Sequence, residues 1–280
     1  MPDPLIAVTG ATGAVGSRVA ARLAAAGARQ RLVVRDPSRA PRVDGAEVRH
    51  ASGYGAGDEL RAALEGADVL FLVPAAETPD RVAQHRTAVD AAVAAGVRRI
   101  VYLSFFGAAP DATFTLARDH WHTEQHIRAT GLPWTFLRMN LYMDFVPTMI
   151  GADGVIRGPA GDGRLAAILR DDVAAASAAA LTSDGHDGET YDLTGPTAFS
   201  LGEAAAELAR ATGKPIRFHD ETDEEAFASR ASFGAPEYEV RGWVSSYWAI
   251  RDGSLDGPTD AVRRLTGTDP TSLADHLRKV

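Results

Sequence analysis

Cysteine is absent from this chain of 280 residues, and lysine occurs only at positions 214 and 279. Without cysteine, the chain has no disulfide, no catalytic thiolate, no iron–sulfur cluster and no Cys-ligated zinc. Basic charge is also scarce, because 29 Lys and Arg stand against 37 Asp and Glu, which gives a net charge of −8. A protein that binds a phosphate backbone needs a basic face, so nucleic acid is not an expected partner.

Long apolar runs are missing as well. The start MPDPLIAVTG lacks the basic segment and long apolar run of a secretory signal, and no apolar stretch is long enough to span a bilayer. We therefore expect a cytoplasmic protein with no membrane partner. Because 45% of the residues are hydrophobic, the chain can bury the core of one large domain or of two closely packed ones.

The first half of the chain alternates short apolar runs with Ala-rich amphipathic segments. This pattern is typical of a parallel sheet flanked by helices, and right-handed crossovers between its strands give a doubly wound sheet. The sequence therefore predicts an α/β fold with a Rossmann-type domain over residues 1–145, to which a later strand at 188–194 returns. Residues 146–280 are less regular and are predicted to form a smaller, mostly helical portion that caps the substrate.

The segment TGATGAVG lies between an apolar strand and an amphipathic helix. Gly10 allows a tight turn, Gly13 lets the backbone approach a pyrophosphate, and Gly16 lets the helix lie close to the strand. An anion then meets the unpaired N–H groups at the start of the helix. The predicted phosphate-binding residues are Gly10, Thr12, Gly13, Ala14, Val15 and Gly16. The alternative is a tight corner that binds no ligand.

The end of the second strand distinguishes the two nicotinamide cofactors. An Asp or Glu there binds the ribose hydroxyls of NAD, whereas this chain has Arg35 in VVRDPSR. A guanidinium can form a bidentate pair with a 2′-phosphate, so NADPH is predicted in preference to NADH, with Arg39 and Ser38 assisting. The alternative is that Arg35 is a solvated charge and that Asp36 binds the ribose.

Four segments, TGATGAVG, VVRDPSR, GADVLFLVP and AAGVRRIVYLS, together resemble the atypical short-chain dehydrogenase/reductases, specifically the NmrA-like branch. The resemblance continues through GLPWTFLRMNLYMDF, GPAGDGRLAAILRDDVA and GETYDLTGP, so it covers nearly the whole chain. Within the branch, the sequence is similar to type 2 NAD(P)H:quinone oxidoreductases and triphenylmethane reductases, which carry a His where this chain has His120. One departure is the segment HASGYGAGDEL, where Ser52 and Gly53 replace the family's acidic residue near the adenine.

Most short-chain reductases protonate a carbonyl oxygen with a Tyr whose pKa is lowered by a Lys four residues later. Neither lysine here has a Tyr four residues upstream, and Tyr247 with Arg251 has this spacing only in a distant segment. Two functions are compatible with the missing relay. The first is NADPH-dependent hydride transfer to an electron-poor acceptor such as a quinone. The second is a non-catalytic NADP-binding redox sensor of the NmrA-like type. The resemblance to the reductases favours the first.

The rest of the predicted site consists of one helix residue, His120, and of residues that follow the predicted strands. His120 stands near the position of the superfamily's Lys, so it is predicted to orient the nicotinamide ribose or to donate a proton near neutral pH. The alternative is an ordinary helix residue. The predicted nicotinamide contacts are Val73, Pro74 and Ala75, and the predicted acceptor contacts are Phe105, Phe106, Asn140 and Tyr142. For the two phenylalanines, the alternative is a position in the core.

No metal site is predicted, because HTEQH has its Glu at the wrong position for the HExxH zinc motif. The expected partner is a small aromatic or quinone-like substrate. The sequence leaves the oligomeric state open, with a homodimer as one alternative.

Overall fold

The structure is a computed structural model that describes residues 3–278. Its strands are β1 (Ile6–Thr9), β2 (Gln30–Val34), β3 (Glu47–His50), β4 (Val69–Leu72), β5 (Arg99–Phe105), β6 (Trp134–Met139), β7 (Val155–Gly158), β8 (Arg164–Leu165), β9 (Glu189–Leu193), β10 (Phe199–Ser200) and β11 (Arg217–Asp220). Its α-helices are α1 (Ala14–Ala25), α2 (Gly57–Leu64), α3 (Arg81–Ala94), α4 (Thr115–Ala129), α5 (Arg170–Thr182), α6 (Leu201–Thr212), α7 (Asp223–Arg230), α8 (Glu237–Arg251), α9 (Ala261–Thr266) and α10 (Leu273–Leu277). Short 3-10 turns cover Pro37–Arg39, Met143–Met149 and Ala231–Phe233.

The chain divides into two compact units whose segments alternate along the sequence. The first unit comprises the chain up to Phe105 together with Asp119–Arg138 and Val173–Asp192. The second comprises Phe106–Arg118, Met139–Asp172 and the chain from Leu193 onward. The sequence pattern predicts one main boundary near residue 145. In the structure, by contrast, each unit contains segments from before and after that position.

The first unit is built on a seven-stranded sheet with the order β3-β2-β1-β4-β5-β6-β9. β1 pairs in parallel with both β2 and β4, β2 pairs in parallel with β3, and β4 pairs in parallel with β5. The chain order reverses between β1 and β4, which is the topological switch point of a doubly wound sheet. The predicted Rossmann-type α/β fold is confirmed, and the late strand β9 lies beside β6.

Burial explains why the central strands read as continuous apolar runs. All residues of β1, β2 and β4 are buried, as expected for parallel strands that helices cover on both faces. Leu60 of α2, Val89 of α3 and Ile100 of β5 belong to one core cluster of this unit. The sheet and its helices therefore form a rigid frame for the loops that follow each strand.

The second unit has two small sheets, in which β8 pairs antiparallel with β10 and β7 pairs parallel with β11. Its helices α6 and α7 both start with a capping box, formed by Ser200 with Glu203 and by Thr222 with Glu225. Within residues 3–278, no helix is both long and apolar enough to cross a membrane.

Candidate functional site

The glycine corner joins β1 to α1 in the first unit. Gly10 has a φ of 61°, in the left-handed region, and its carbonyl accepts a hydrogen bond from the N–H of Gly13 at 2.9 Å. Among the described residues, no side chain caps the start of α1 and no acidic residue lies in its first turn. Because the first N–H groups of a helix have no acceptor within it, those of Ala14, Val15 and Gly16 are available to an anion.

Close packing requires the small residues of this corner. A Cβ at Gly16 would lie 2.2 Å from the carbonyl oxygen of Gly10, and a Cβ at Gly13 would lie 3.2 Å from the same oxygen. A Cβ at Gly10 would lie 3.0 Å from the Val73 side chain. The corner thus combines backbone donors with the absence of any side chain at its three glycines, which fits the diphosphate of a nicotinamide cofactor.

Arg35 follows Val34, the last residue of β2, and its side chain is exposed. The next carboxylate, Asp36, accepts the N–H and the hydroxyl of Ser38 at 3.0 and 2.7 Å, and these hydrogen bonds lower the pKa of Asp36. Ser38 therefore donates to Asp36 in the turn at Pro37–Arg39. In contrast, no carboxylate within residues 3–278 forms an ion pair with Arg35.

The loop after β4, residues 73–75, is fixed at its start by two hydroxyl groups. The N–H of Val73 donates to Thr9 Oγ1 at 3.0 Å, and Thr9 Oγ1 itself donates to the carbonyl of Phe71 at 3.1 Å. The hydroxyl of Tyr54 lies 2.6 Å from Thr9 Oγ1 and 2.5 Å from the carbonyl oxygen of Val73. Burial raises the pKa of Tyr54, so the phenol keeps its proton and remains a donor.

The same loop is fixed farther along by two side chains of α3. The N–H of Ala75 donates to His85 Nε2 at 2.8 Å, so the neutral ring carries its hydrogen on Nδ1, which lies 2.8 Å from Thr123 Oγ1. Arg81 Nε donates to the carbonyl of Ala75 at 3.0 Å. Burial lowers the pKa of His85 to about 3, which keeps the ring neutral. Both backbone polar groups of Ala75 are thus bound by buried side chains.

His120 on α4 is only 2% exposed. Arg81 Nη2 lies 3.3 Å from its Nε2, and the hydroxyl of Tyr102 lies 2.9 Å from its Nδ1. Because a guanidinium can only donate, Nε2 is the acceptor and Nδ1 carries the hydrogen. Burial, followed by the charge of Arg81, lowers the pKa of His120 well below its usual value.

This environment gives no support to His120 as a proton donor near neutral pH, since the ring is neutral and both nitrogens are engaged. The predicted role in orienting the ribose stays a prediction. Arg81 also approaches Asp119, with 3.3 Å between Nη1 and Oδ2. The guanidinium of Arg81 therefore binds a carbonyl, a carboxylate and an imidazole at once.

Phe105 and Phe106 take different positions. Phe105, the last residue of β5, is 3% exposed, and its ring centre lies 6.0 Å from that of His120, so it occupies the core. Phe106 belongs to the second unit and is half-buried. There it lines a cavity of about 260 Å³, whose walls include Phe106, Ala109, Thr113, Phe114, Ala117 and Leu255. An acceptor contact is sterically open to Phe106 but not to Phe105.

Asn140 and Tyr142 follow β6 in the second unit. Asn140 is fully buried; its Nδ2 donates to the carbonyl of Leu255 at 3.0 Å, and its Oδ1 accepts the N–H of Leu141 at 2.7 Å. The predicted acceptor contact of Asn140 therefore has no support in the structure, which gives the amide a structural role. Tyr142 keeps part of its surface exposed, and the guanidinium carbon of Arg170 lies 4.5 Å from its ring centre.

A larger cavity of about 750 Å³ lies in the first unit, near the residues that start β1, β4 and β5. None of the predicted site residues lines it. Ligands of open α/β sheets bind at the carboxyl ends of the strands, so this cavity at the amino ends is not the cofactor site. Across residues 3–278, no group of three or more His, Asp or Glu is arranged to hold a metal ion.

Sequence reasoning missed Arg81, His85, Tyr54 and Tyr102 as parts of this site. One signal was present in the sequence: Arg81 and His85 are four residues apart, so they share one face of an Ala-rich helix. Tyr54 gave no comparable signal, since it lies between glycines in a loop. Its partners Thr9 and Val73 become neighbours only in the folded sheet.

Comparison with known proteins identifies the family of this chain and several of its relatives. A family model described as NAD(P)H-binding matches residues 10–184. The chain is 39% identical to a (4-alkanoyl-5-oxo-2,5-dihydrofuran-3-yl)methyl phosphate reductase of Streptomyces griseus, over 97% of this chain and 96% of the relative. It is 34% identical to quinone oxidoreductase 2 of Escherichia coli and 32% identical to an NAD(P)H azoreductase of Xenophilus azovorans, in both cases over 98% of this chain and 97% of the relative.

Solved structures of similar fold include two reductases and one transcriptional regulator. An NADPH-dependent quinone oxidoreductase of Escherichia coli in complex with NADPH superimposes with a TM-score of 0.91 at 33% identity, covering 98% of this chain and 99% of that one. A triphenylmethane reductase of Citrobacter gives a TM-score of 0.87 at 30% identity with the same coverage. The transcriptional regulator NmrA in complex with NADP, at 19% identity and a TM-score of 0.81 over 100% of this chain and 96% of that one, shares the fold.

Proposed function

The chain belongs to the NAD(P)H-binding family, and from this premise we propose that it is an NADPH-dependent reductase of electron-poor conjugated acceptors, with quinones as the acceptor class. When bound, the cofactor supplies a hydride. The observation that carries the proposal is the uncapped start of α1 behind Gly10, Gly13 and Gly16, where backbone donors face no competing side chain of the described residues.

The names of the three relatives support the acceptor class. A dihydrofuranone with an alkanoyl group, a quinone and an azo compound differ in structure, but each has a conjugated, electron-poor double bond. Such acceptors place the added negative charge on oxygen or nitrogen, so they need little acid catalysis. The protein then has to hold the acceptor against the dihydronicotinamide in a reactive geometry.

The residues around the loop after β4 are suited to holding the nicotinamide ring in place. Val73 and Ala75 are held by Thr9, Tyr54, His85 and Arg81, so the predicted nicotinamide contacts lie on a fixed backbone. A fixed wall orients a planar ring without a lid or a mobile acid.

Hydride transfer without a Tyr/Lys relay is also part of the proposal. In the second unit, Tyr247 packs against Gly158, where a Cβ would come within 2.1 Å of its ring, and Arg251 Nη1 donates to Asp223 at 3.2 Å. The pair with the relay spacing is therefore engaged in separate structural contacts. We propose that water protonates the reduced acceptor after transfer.

The test of the function is oxidation of NADPH by purified protein, followed by absorbance, with naphthoquinones, azo dyes and cationic triarylmethane dyes as acceptors. Turnover with the quinones is the expected result. Micromolar binding of NADPH without oxidation by any acceptor would contradict the reductase and favour a redox sensor instead.

We further propose that Arg35 selects NADPH over NADH by pairing with the 2′-phosphate. Arg35→Ala should weaken NADPH binding about 10- to 100-fold, as expected for the loss of a charge-assisted hydrogen bond, and should change NADH binding less than about 3-fold. The measurement is a titration of each cofactor by fluorescence. Arg86→Ala, an exposed arginine on α3 outside the predicted site, is the control and should leave the affinity for both cofactors unchanged. Equal loss for both cofactors would remove Arg35 from this role.

A further inference from the structure

Arg81, the first residue of α3, places a positive charge inside the first unit. Its side chain is only 6% exposed, and a guanidinium keeps its charge in proteins. Arg81 Nε donates to the carbonyl of Ala75 at 3.0 Å, so the charge lies beside the loop after β4. A neutral amide could donate the same hydrogen bond, so the charge adds an effect of its own.

The acidic groups near Arg81 are more exposed than Arg81 itself. Asp119 Oδ2 lies 3.3 Å from Nη1, whereas the loop is bound at Nε. The side chain of Asp119 is 25% exposed, so solvent screens its negative charge more than it screens the buried guanidinium. Glu77 and Asp80, which lie between the loop and α3, are exposed and are screened in the same way. These positions leave a net positive potential next to Ala75.

Two neighbouring histidines respond to this potential. His85 Nε2 accepts the N–H of Ala75 at 2.8 Å, and His120 Nε2 lies 3.3 Å from Arg81 Nη2. After burial, the charge of Arg81 is the next cause that lowers the pKa of His85 to about 3 and the pKa of His120 well below its usual value. Both rings are therefore neutral, and neither adds to the charge of Arg81 nor compensates it.

The loop beside this charge carries the predicted nicotinamide contacts. Val73, Pro74 and Ala75 follow β4, next to the switch point between β1 and β4 where an open α/β sheet binds its ligand. All three residues are half-buried, so part of each is accessible to a ligand. NADPH and NADP⁺ share their adenosine and phosphates, but the nicotinamide ring carries a positive charge once its hydride has gone to the acceptor. A buried positive charge behind the loop disfavours the oxidised ring.

We propose that Arg81 makes this chain bind NADPH more tightly than NADP⁺, through repulsion between its guanidinium and the oxidised nicotinamide ring. This inference rests on the proposed function, in particular on contact between that ring and the loop after β4. The difference in affinity between the two forms adds to the driving force for hydride transfer, because the bound reduced form is stabilised relative to the bound oxidised form. Arg81 then favours reduction of the acceptor over the reverse reaction.

The test is equilibrium binding of NADPH and of NADP⁺ to the purified protein without any acceptor, NADPH by fluorescence and NADP⁺ by calorimetry at the same pH and salt concentration. For the unmodified protein, the Kd for NADP⁺ should exceed the Kd for NADPH by about 10-fold or more. Arg81→Met should lower this ratio to about 1 to 3, whereas Arg81→Lys, which keeps the charge, should preserve most of it. A purely structural defect weakens both forms alike and leaves the ratio unchanged.

Asp119→Asn tests the same potential in the opposite direction. The substitution removes the counter-ion of Arg81 and keeps an amide oxygen that can accept from it, so the ratio should rise about 3-fold or more. The matched control is Arg86→Met, an exposed arginine on the same helix, which should leave the ratio unchanged.

A ratio near 1 in the unmodified protein, or one that neither Arg81→Met nor Asp119→Asn changes, would overturn the proposal. If Arg81→Met does not fold, the Asp119→Asn protein decides: a higher ratio supports the role of Arg81 and an unchanged ratio contradicts it. Opposite shifts in a protein that reduces no acceptor would support this role and contradict the proposed function. Turnover of quinones without any shift in the ratio would do the reverse.

Discussion

Arg81 in the first unit and Arg170 in the second are both mostly buried, with side chains 6% and 18% exposed. Arg81 binds the carbonyl of Ala75, the carboxylate of Asp119 and the ring of His120. The guanidinium of Arg170 instead packs against the rings of Tyr142 and Phe145, and its Nη1 lies 3.7 Å from Asp144 Oδ1. The same side chain is therefore held in two ways: the guanidinium of Arg81 by hydrogen bonds to three groups, and that of Arg170 by two ring contacts and a longer ion pair.

A second contrast lies within the first unit. At the glycine corner, backbone N–H groups of α1 meet no side-chain acceptor of the described residues. Below the loop after β4, the ring nitrogens of His85 and His120 all have partners within 3.3 Å. The corner therefore leaves backbone donors available to an anion, whereas the histidine cluster uses its ring nitrogens within the protein.

The largest expected effect follows from removing the occupied guanidinium. Arg81→Met should lower the free energy of unfolding by about 3 to 5 kcal/mol, because it leaves the carbonyl of Ala75 and the carboxylate of Asp119 without their buried partner. Arg170→Met should cost only about 1 kcal/mol, the loss of cation–π contacts. Urea denaturation of both variants measures the difference.

Arg86→Met is the control for Arg81, since Arg86 is exposed on the same helix. It should change the free energy of unfolding by less than about 0.5 kcal/mol. Equal destabilisation by Arg81→Met and Arg170→Met would break the distinction between the two arginines.

The next effect concerns the packing of the corner. Gly16→Ala places a Cβ 2.2 Å from the carbonyl oxygen of Gly10, so the free energy of unfolding should fall by about 1 to 3 kcal/mol and NADPH binding should weaken with it. Gly202→Ala in α6 is the control, because its nearest neighbour would be 3.7 Å away. That helical substitution should stabilise by up to about 1 kcal/mol. A Gly16→Ala protein with unchanged melting and NADPH affinity would show that the corner does not need glycine there.

The third effect is a pH dependence of the free energy of unfolding, which comes from the buried ring of His85. The pKa of His85 falls from 6.5 to about 3 on folding, so below pH 6.5 the unfolded chain binds a proton that the folded chain does not. The free energy of unfolding should therefore decrease as the pH falls from about 6.5 toward 3, by about 1.4 kcal/mol per pH unit for this group.

His85→Gln removes the titrating ring but keeps an amide that can accept from Ala75. The slope of stability against pH near pH 5 should become smaller by about that amount, as measured by urea denaturation at several pH values. An unchanged slope would mean that His85 is protonated in the folded protein.

The fold and the corner could be predicted because their signals are local. The strand, the three glycines and the helix lie within twenty residues, and each has a fixed physical requirement. The buried apolar runs of β1 and β4 similarly indicated strands covered on both faces.

The polar network could not be predicted, because its partners are far apart in the chain. Tyr102 and His120 are 18 residues apart, Arg81 and His120 are 39 apart, and Asn140 and Leu255 are 115 apart. Family resemblance drew attention to His120, but its pKa depends on Arg81 and on burial, which only the fold supplies. Asn140 has the polarity of a binding residue, and only its distant partner shows that its amide is already used.

We propose that this chain moves a hydride from NADPH directly to a conjugated acceptor. The most direct measurement is an anaerobic single-turnover experiment that mixes the NADPH-bound protein with a naphthoquinone, using NADPH that carries deuterium or hydrogen at the transferred position. We predict that one NADPH is oxidised for each quinone reduced and that the deuterated cofactor reacts more slowly. Tight NADPH binding with no oxidation, for either isotope, would contradict the claim.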